Sequence, residues 1–172
     1  MPRPAYHVTF VDKAQRLTWT DSREGGPVEL DVVSEYGGRP KLAIAVLVDT
    51  VPAEPPYDTF AAELETRKES LSGSLRILHR QDEIPPKAGS ATAAEVATVI
   101  RRFAGQRETN EIHLFLRTPW PLAALLGREL NTYRVALYEW DDLGDGRCRY
   151  SPTVTVASGV GGGPIIDVTA ST

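Results

Sequence analysis

The sequence predicts an α/β sandwich, Rossmann-like in the broad sense, with a mostly parallel sheet between helical layers and a β appendage at the N-terminus. "KLAIAVLVDT" (41–50) is almost unbroken Leu, Ile and Val, the pattern of a strand covered on both faces. From there β-prone runs alternate with helix-patterned ones, which needs crossover connections and so parallel neighbours. The first third holds only short β-prone runs parted by polar residues.

In order, "AYHVTFV" and "RLTWT", joined by the polar "DKAQ", predict a hairpin. "PVELDVVSEY" predicts a third strand, ending at Gly37-Gly38. These runs make the appendage, residues 1–36, and the main domain spans 37–157. After the 41–50 strand, "VPAEPPYDTFAAELETRKES" opens on prolines and settles into a helix-prone run. "SLRILHR" is a second strand and "QDEIPPKAG" a loop. "SATAAEVATVIRRFAG" predicts an amphipathic helix with Ser90 as its cap, Val96, Val99, Ile100 and Phe103 on one face, and Gly105 at its end. "EIHLFLRT" is the third strand, "PLAALLGRELN" the next helix and "YRVALYEWDD" the fourth strand. A turn at "LGDGR" leads to "YSPTVTVAS", a last strand antiparallel to its predecessor. Residues 158–172 form a Gly-rich tail.

With 172 residues the chain fits one domain, or a domain with a small appendage. Its net charge of −4 argues against a binder of long nucleic acid, which needs many phosphate contacts, but not against a small anionic ligand. No apolar run approaches the roughly 20 residues of a spanning helix, and the N-terminus lacks the apolar region of a secretory signal. Cys148 is alone, which excludes an internal disulfide and a cysteine-rich zinc site. A cytoplasmic protein is the simplest expectation, with no membrane partner.

In open parallel sheets ligands sit beyond the carboxyl ends of the strands, near helix N-termini. That rule points to Asp49-Thr50, to Arg80 and its loop, to Arg117-Thr118-Pro119-Trp120, and to Glu139-Trp140-Asp141. Thr118 and Trp120 each precede a proline, so both are expected extended, with the helix starting at about Pro121. Arg117 then supplies a cation, Thr118 a hydroxyl, Trp120 a flat face, and the helix start free amides. That set suits a nucleobase joined to a phosphate; a Trp120 that staples the helix to the appended β-region is the structural alternative. Lys87, in a proline-flanked loop, is a further phosphate contact. Elsewhere the chemistry is thin. "ASGVGGGP" lacks the Gly-Lys-Ser/Thr ending of a phosphate loop. His7, His79 and His113 have no metal-ligand spacing, and no Ser stands in a nucleophile elbow. No catalytic set, metal site or cofactor is expected.

"IHLFLRTPWPLAALLGRELN", followed by "VALYEWDD" and "RYSPTVTV", resembles the SAVED domain. In that family a strand of this type enters a helix reading L-A-x-x-L-G-R-x-x-N, followed by a strand ending in Tyr-Glu/Asp and a Tyr-x-Pro segment. "LAIAVLVDT" is similar to the strand opening its core, and the resemblance covers roughly residues 41 to 157. It implies a CARF-like fold and a sensor of cyclic oligonucleotide second messengers in antiphage defence, in CBASS or type III CRISPR systems. It implies no enzyme activity; a ring nuclease that opens the same messenger, or a scaffold that lost its pocket, are the alternatives. The carried-over sites are Thr50, Arg117, Thr118, Pro119, Trp120 and the end of the 134–140 strand, taken as Glu139 and Trp140. Gly127 is implied to permit close approach of helix and sheet. The resemblance also implies homo-oligomer or filament assembly and an effector, nuclease, protease or TIR, fused or separately encoded. A chain with one Rossmann-like half is expected to need a second subunit to complete its site.

Overall fold

The computed structural model describes residues 10–12, 17–19, 25–55, 58–144, 146–159 and 165–169. A short antiparallel ladder joins β1 (Phe10–Asp12) and β2 (Leu17–Trp19), as the hairpin expectation requires. The remaining strands are β3 (Asp31–Tyr36), β4 (Ala43–Asp49), β5 (Leu71–Leu78), β6 (Glu111–Arg117), β7 (Arg134–Asp142), β8 (Cys148–Val156) and β9 (Ile165–Val168). They form one seven-stranded sheet in the order β3-β5-β4-β6-β7-β8-β9. Three helices connect its middle: α1 (Thr59–Arg67), α2 (Gly89–Gln106) and α3 (Trp120–Glu129).

The sheet corrects the expectation of mostly parallel pairing. Only β5, β4, β6 and β7 run parallel, while β3, β8 and β9 add antiparallel ladders at both margins. Counting the β1–β2 ladder, four described pairings are antiparallel and three parallel. The physical reason is connection length. Each parallel step spends a helix, and the described residues hold three, so the outer strands join by shorter returns. β3, read with the appendage, pairs with β5, and β9, read within the tail, pairs with β8.

The helices divide between the two faces. α2 and α3 bury an aliphatic layer in which Val96, Ile100, Leu122 and Leu126 meet Ile44, Val46, Leu75, Ile112 and Leu114. On the other face α1 sets Phe60 against Ala45, Leu47, Phe115, Tyr138 and Tyr150. Asp58 caps α1 by accepting the Ala61 N–H at 2.9 Å, and Arg76 of β5 reaches the same carboxylate at 2.9 Å. Burial alone would raise the Asp58 carboxyl, but the Ala61 N–H and Arg76 hold it below its usual range.

Local signals shift by a residue or two. Ser90 lies inside α2 instead of capping it, and no side chain caps that helix. Its end is not made by Gly105 but by Glu108, which takes the left-handed φ of 53°. Gly127 meets open space where a Cβ would stand, so it does not serve close helix–sheet approach. That role falls to Gly73, where a Cβ would lie 3.0 Å from Phe103 Cζ and 2.8 Å from the Glu35 carbonyl.

The chain enters the parallel region at β4, steps to β5 on one side, and returns to β6 on the other. The carboxyl ends of β4 and β6 therefore make a topological switch point, where the two crossovers diverge.

Candidate functional site

Asp49 ends β4 and is 1% exposed, so its carboxylate is tolerable only when paired. Two neighbouring strands supply the partners. Arg80, just past β5, sets Nη2 3.0 Å from the carboxylate. Arg117, the last residue of β6, sets Nη1 3.3 Å from both oxygens. The Val51 N–H donates at 3.2 Å as well. Both guanidinium groups also grip the β4–α1 loop: Arg80 Nη1 donates to Val51 O at 3.0 Å, and Arg117 Nη1 to Ala53 O at 2.6 Å. The Arg117 guanidinium lies 5.4 Å over the Trp140 ring, which meets Tyr150 edge-on at 5.2 Å. Burial pushes the Tyr150 hydroxyl well above its ordinary value, and the Asp49 charge adds to the shift while Arg117 opposes it. Asp49, Arg80 and Tyr150 open on a cleft of about 320 Å³ that Phe60, Asp58 and Arg76 help to line.

One residue further along β4 and β6 the side chains turn to the opposite face, because strand side chains alternate. There Thr50 and Thr118 meet hydroxyl to hydroxyl at 2.5 Å, and the Thr50 N–H donates to Arg117 O at 3.0 Å. Two residues beyond, Trp120 is 72% exposed. It is the first residue of α3, not an extended residue ahead of it, and Pro119 occupies the cap position. The expected row of free amides is not there. Pro119 and Pro121 have no N–H, and the Leu122 N–H turns back to Pro119 O at 3.0 Å. The seam presents an aromatic face with two of its first-turn amides, Leu122 and Ala123, turned back to Pro119 O.

The sequence-predicted residues thus separate into pairs. Thr50 touches Thr118, and Arg117 touches Trp140. Glu139 alternates to the face opposite Trp140, since Tyr138 and Trp140 pack on the α1 side. Lys87 lies exposed in the 3₁₀ turn Pro86–Ala88, against whose backbone Gly25 packs. No described contact brings Lys87 or Glu139 to the other candidates. Asp49 and Arg80, at strand ends the sequence rule pointed to but outside the ligand set, join Arg117 in one charged cluster. The available signal was an acid ending an otherwise aliphatic strand, which demands a cation from a neighbour. His113 sets Nδ1 3.1 Å from the Tyr138 hydroxyl. Among the described residues no three His, Cys, Asp or Glu side chains gather as metal ligands.

These features define an α/β domain whose buried charges and exposed aromatic ring collect at a topological switch point. Residues 5–156 match the family described as "SMODS-associated and fused to various effectors sensor domain", SAVED, and the chain belongs to that family of sensor domains. No curated protein matches the sequence. Among solved structures it is similar to the Acinetobacter baumannii Cap4 SAVED/CARF-domain receptor with the cyclic trinucleotide 2'3'3'-cAAA, at TM-score 0.59 and 18% identity. The same receptor with 3'3'3'-cAAA gives the same values, and both alignments cover 81% of this chain and 30% of the receptor. A further structure of that receptor gives TM-score 0.53 at 16% identity. At such identities the likeness speaks to the fold. The chain spans less than a third of the length of the receptors it matches.

Proposed function

We propose that this domain binds a cyclic tri- or tetranucleotide across the carboxyl ends of β4, β6 and β7 and, by ligand-induced assembly, regulates an effector in bacterial antiphage defence. The observation that carries the reading is Trp120, largely exposed beside the switch point of a sensor-family chain. A ring so exposed contributes little to the core and offers a stacking platform to a base. The Cap4 receptors similar in fold are described with cyclic trinucleotides.

The reading is a sensor, not a ring nuclease. The carboxylates nearest the arginines are engaged in ion pairs, Asp49 with Arg80 and Arg117, and Asp58 with Arg76, which supports holding a ligand over cleaving it. A second copy, or further chain, completes the ligand site, in keeping with the small share of the receptor that this fold spans. The effector is a nuclease, protease or TIR domain. Isothermal titration with cyclic triadenylates tests the binding step. Saturable heat at micromolar ligand is the expected result, and silence with every cyclic tri- and tetranucleotide would reject it. Linear product accumulating during incubation would favour cleavage instead.

A further inference from the structure

Tyr150 is 6% exposed, yet its hydroxyl makes no hydrogen bond with any described residue. The ring is held by aromatic neighbours, Phe115 at 5.3 Å and Trp140 at 5.2 Å, both edge-on. Its oxygen lies in the field of Asp49, Arg117, Asp58 and Arg80, and so points toward the cleft that Asp49, Asp58 and Arg80 line. A buried hydroxyl without a partner destabilises the fold that holds it, and a ligand that brings an acceptor or donor relieves that cost.

The rest of the cleft says what kind of group fits. Its walls are apolar at Leu47, Pro55, Phe60 and Leu78. The charges that line it are already paired, Arg76 Nη2 with Asp58 at 2.9 Å and Arg80 Nη2 with Asp49 at 3.0 Å, while Glu54 is 83% exposed to solvent. A phosphate here would meet two carboxylates along with the two arginines, so the lining holds no surplus of positive charge for it. A neutral, flat group with hydrogen-bonding atoms on its edge suits apolar walls and a single waiting hydroxyl. At about 320 Å³ the cleft stands at the small end of ligand pockets, with room for one base and not for a whole ring of nucleotides. We infer that the cleft between β4, β5, β8 and the start of α1 is a nucleobase pocket, in which Tyr150 hydrogen-bonds the edge of one base of the cyclic oligonucleotide. This rests on the cyclic-oligonucleotide reading and deepens it. Trp120 begins α3, which packs on the opposite face of the sheet, so the ring is held by one base on each side of the switch point.

The test starts with calorimetry of the full chain against cyclic tri- and tetranucleotides, and carries the ring bound most tightly into the variants. Tyr150→Phe keeps the packed side chain and deletes only the hydroxyl. Affinity is expected to fall about fivefold to tenfold, the scale of one hydrogen bond. The melting temperature is expected to hold or rise, because the variant removes a buried polar group that the ligand-free fold leaves unpaired. Unchanged affinity, or a lowered melting temperature that marks the hydroxyl as structural, overturns the inference and leaves the functional reading intact. Silence from every ring removes the reading itself and the inference with it. Base and phosphate contacts are separated by the nucleoside of the same base, followed by saturation-transfer NMR in a Trp120→Ala background. Transfer that disappears when Tyr150→Phe is added is the expected result. No transfer to the phosphate-free nucleoside, or transfer that survives the second substitution, overturns the inference.

Discussion

The two faces of the sheet are built from different materials. Against α2 and α3 lie Ile, Leu and Val side chains in a continuous aliphatic layer. Against α1 lie rings, with Phe115 stacked on Tyr138 at 4.4 Å and edge-on to Phe60 and Tyr150. Cations cover those rings, Arg67 4.9 Å over Tyr138 and Arg76 5.2 Å over Phe60. The difference follows from helix length. α2 has 18 residues and works beside α3, whereas α1 has nine and stands alone on its face. A short helix cannot seal a wide sheet, so flat rings capped by guanidinium groups finish the work where water reaches. Aliphatic packing holds the fold. The aromatic and cationic face ends in the paired charges of Asp49, Arg80 and Arg117.

Mutations can break that contrast. Leu126→Ala, in the aliphatic layer, is expected to cost about 3 kcal/mol and lower the melting temperature by roughly 6–12 °C. Trp120→Ala inverts the pattern. Stability should move by no more than about 0.5 kcal/mol, while affinity for cyclic triadenylate drops by about 2 kcal/mol if the ring stacks on a base. A loss of stability without loss of binding would mark Trp120 as structural. Phe115→Leu is expected to cost about 1.5 kcal/mol, less than Leu126→Ala, because a hydrophobic side chain of similar bulk remains. A larger cost in a urea titration would make the aromatic layer the true core. Gly127→Ala should stabilise by about 0.8 kcal/mol, since the added methyl enters open space in a helix.

The smallest effect is a pH slope on the aromatic face. Burial first, then the Arg67 charge, holds the His113 imidazole below its ordinary range, with Glu111 opposing. In the fold the ring stays neutral where the unfolded chain has taken up a proton. Its contribution to stability is therefore complete above about pH 6.5 and is lost as pH falls from there toward the lower folded value. Between pH 7 and pH 5 the melting temperature of His113→Gln should fall less than that of wild type; equal slopes would exclude this coupling.

Much of this architecture was legible in the residues. The aliphatic 41–50 run announced a doubly covered strand, and the period of Val96, Ile100 and Phe103 announced α2. The direction of the outer strands was not legible, because an alternating run such as "DVVSEY" reads the same in either orientation. Nor could spacing show that Asp49, Arg80 and Arg117 converge, since their pairing spans three strands. The prolines around Trp120 signalled the seam correctly, but helix propagation from "PLAALLGRE" drew Trp120 into the first turn.

The alternation that parts Arg117 from Thr118 bears on how such a domain can change over generations. Single substitutions at the two positions are felt on opposite sides of the sheet, so each can drift without disturbing the other. A one-residue insertion or deletion within β6 has no such freedom. It would exchange the guanidinium and the hydroxyl between faces and turn Phe115 into the aliphatic layer. Diversification of the site is therefore expected to proceed by replacing side chains at the strand ends, while the length of β6 stays fixed.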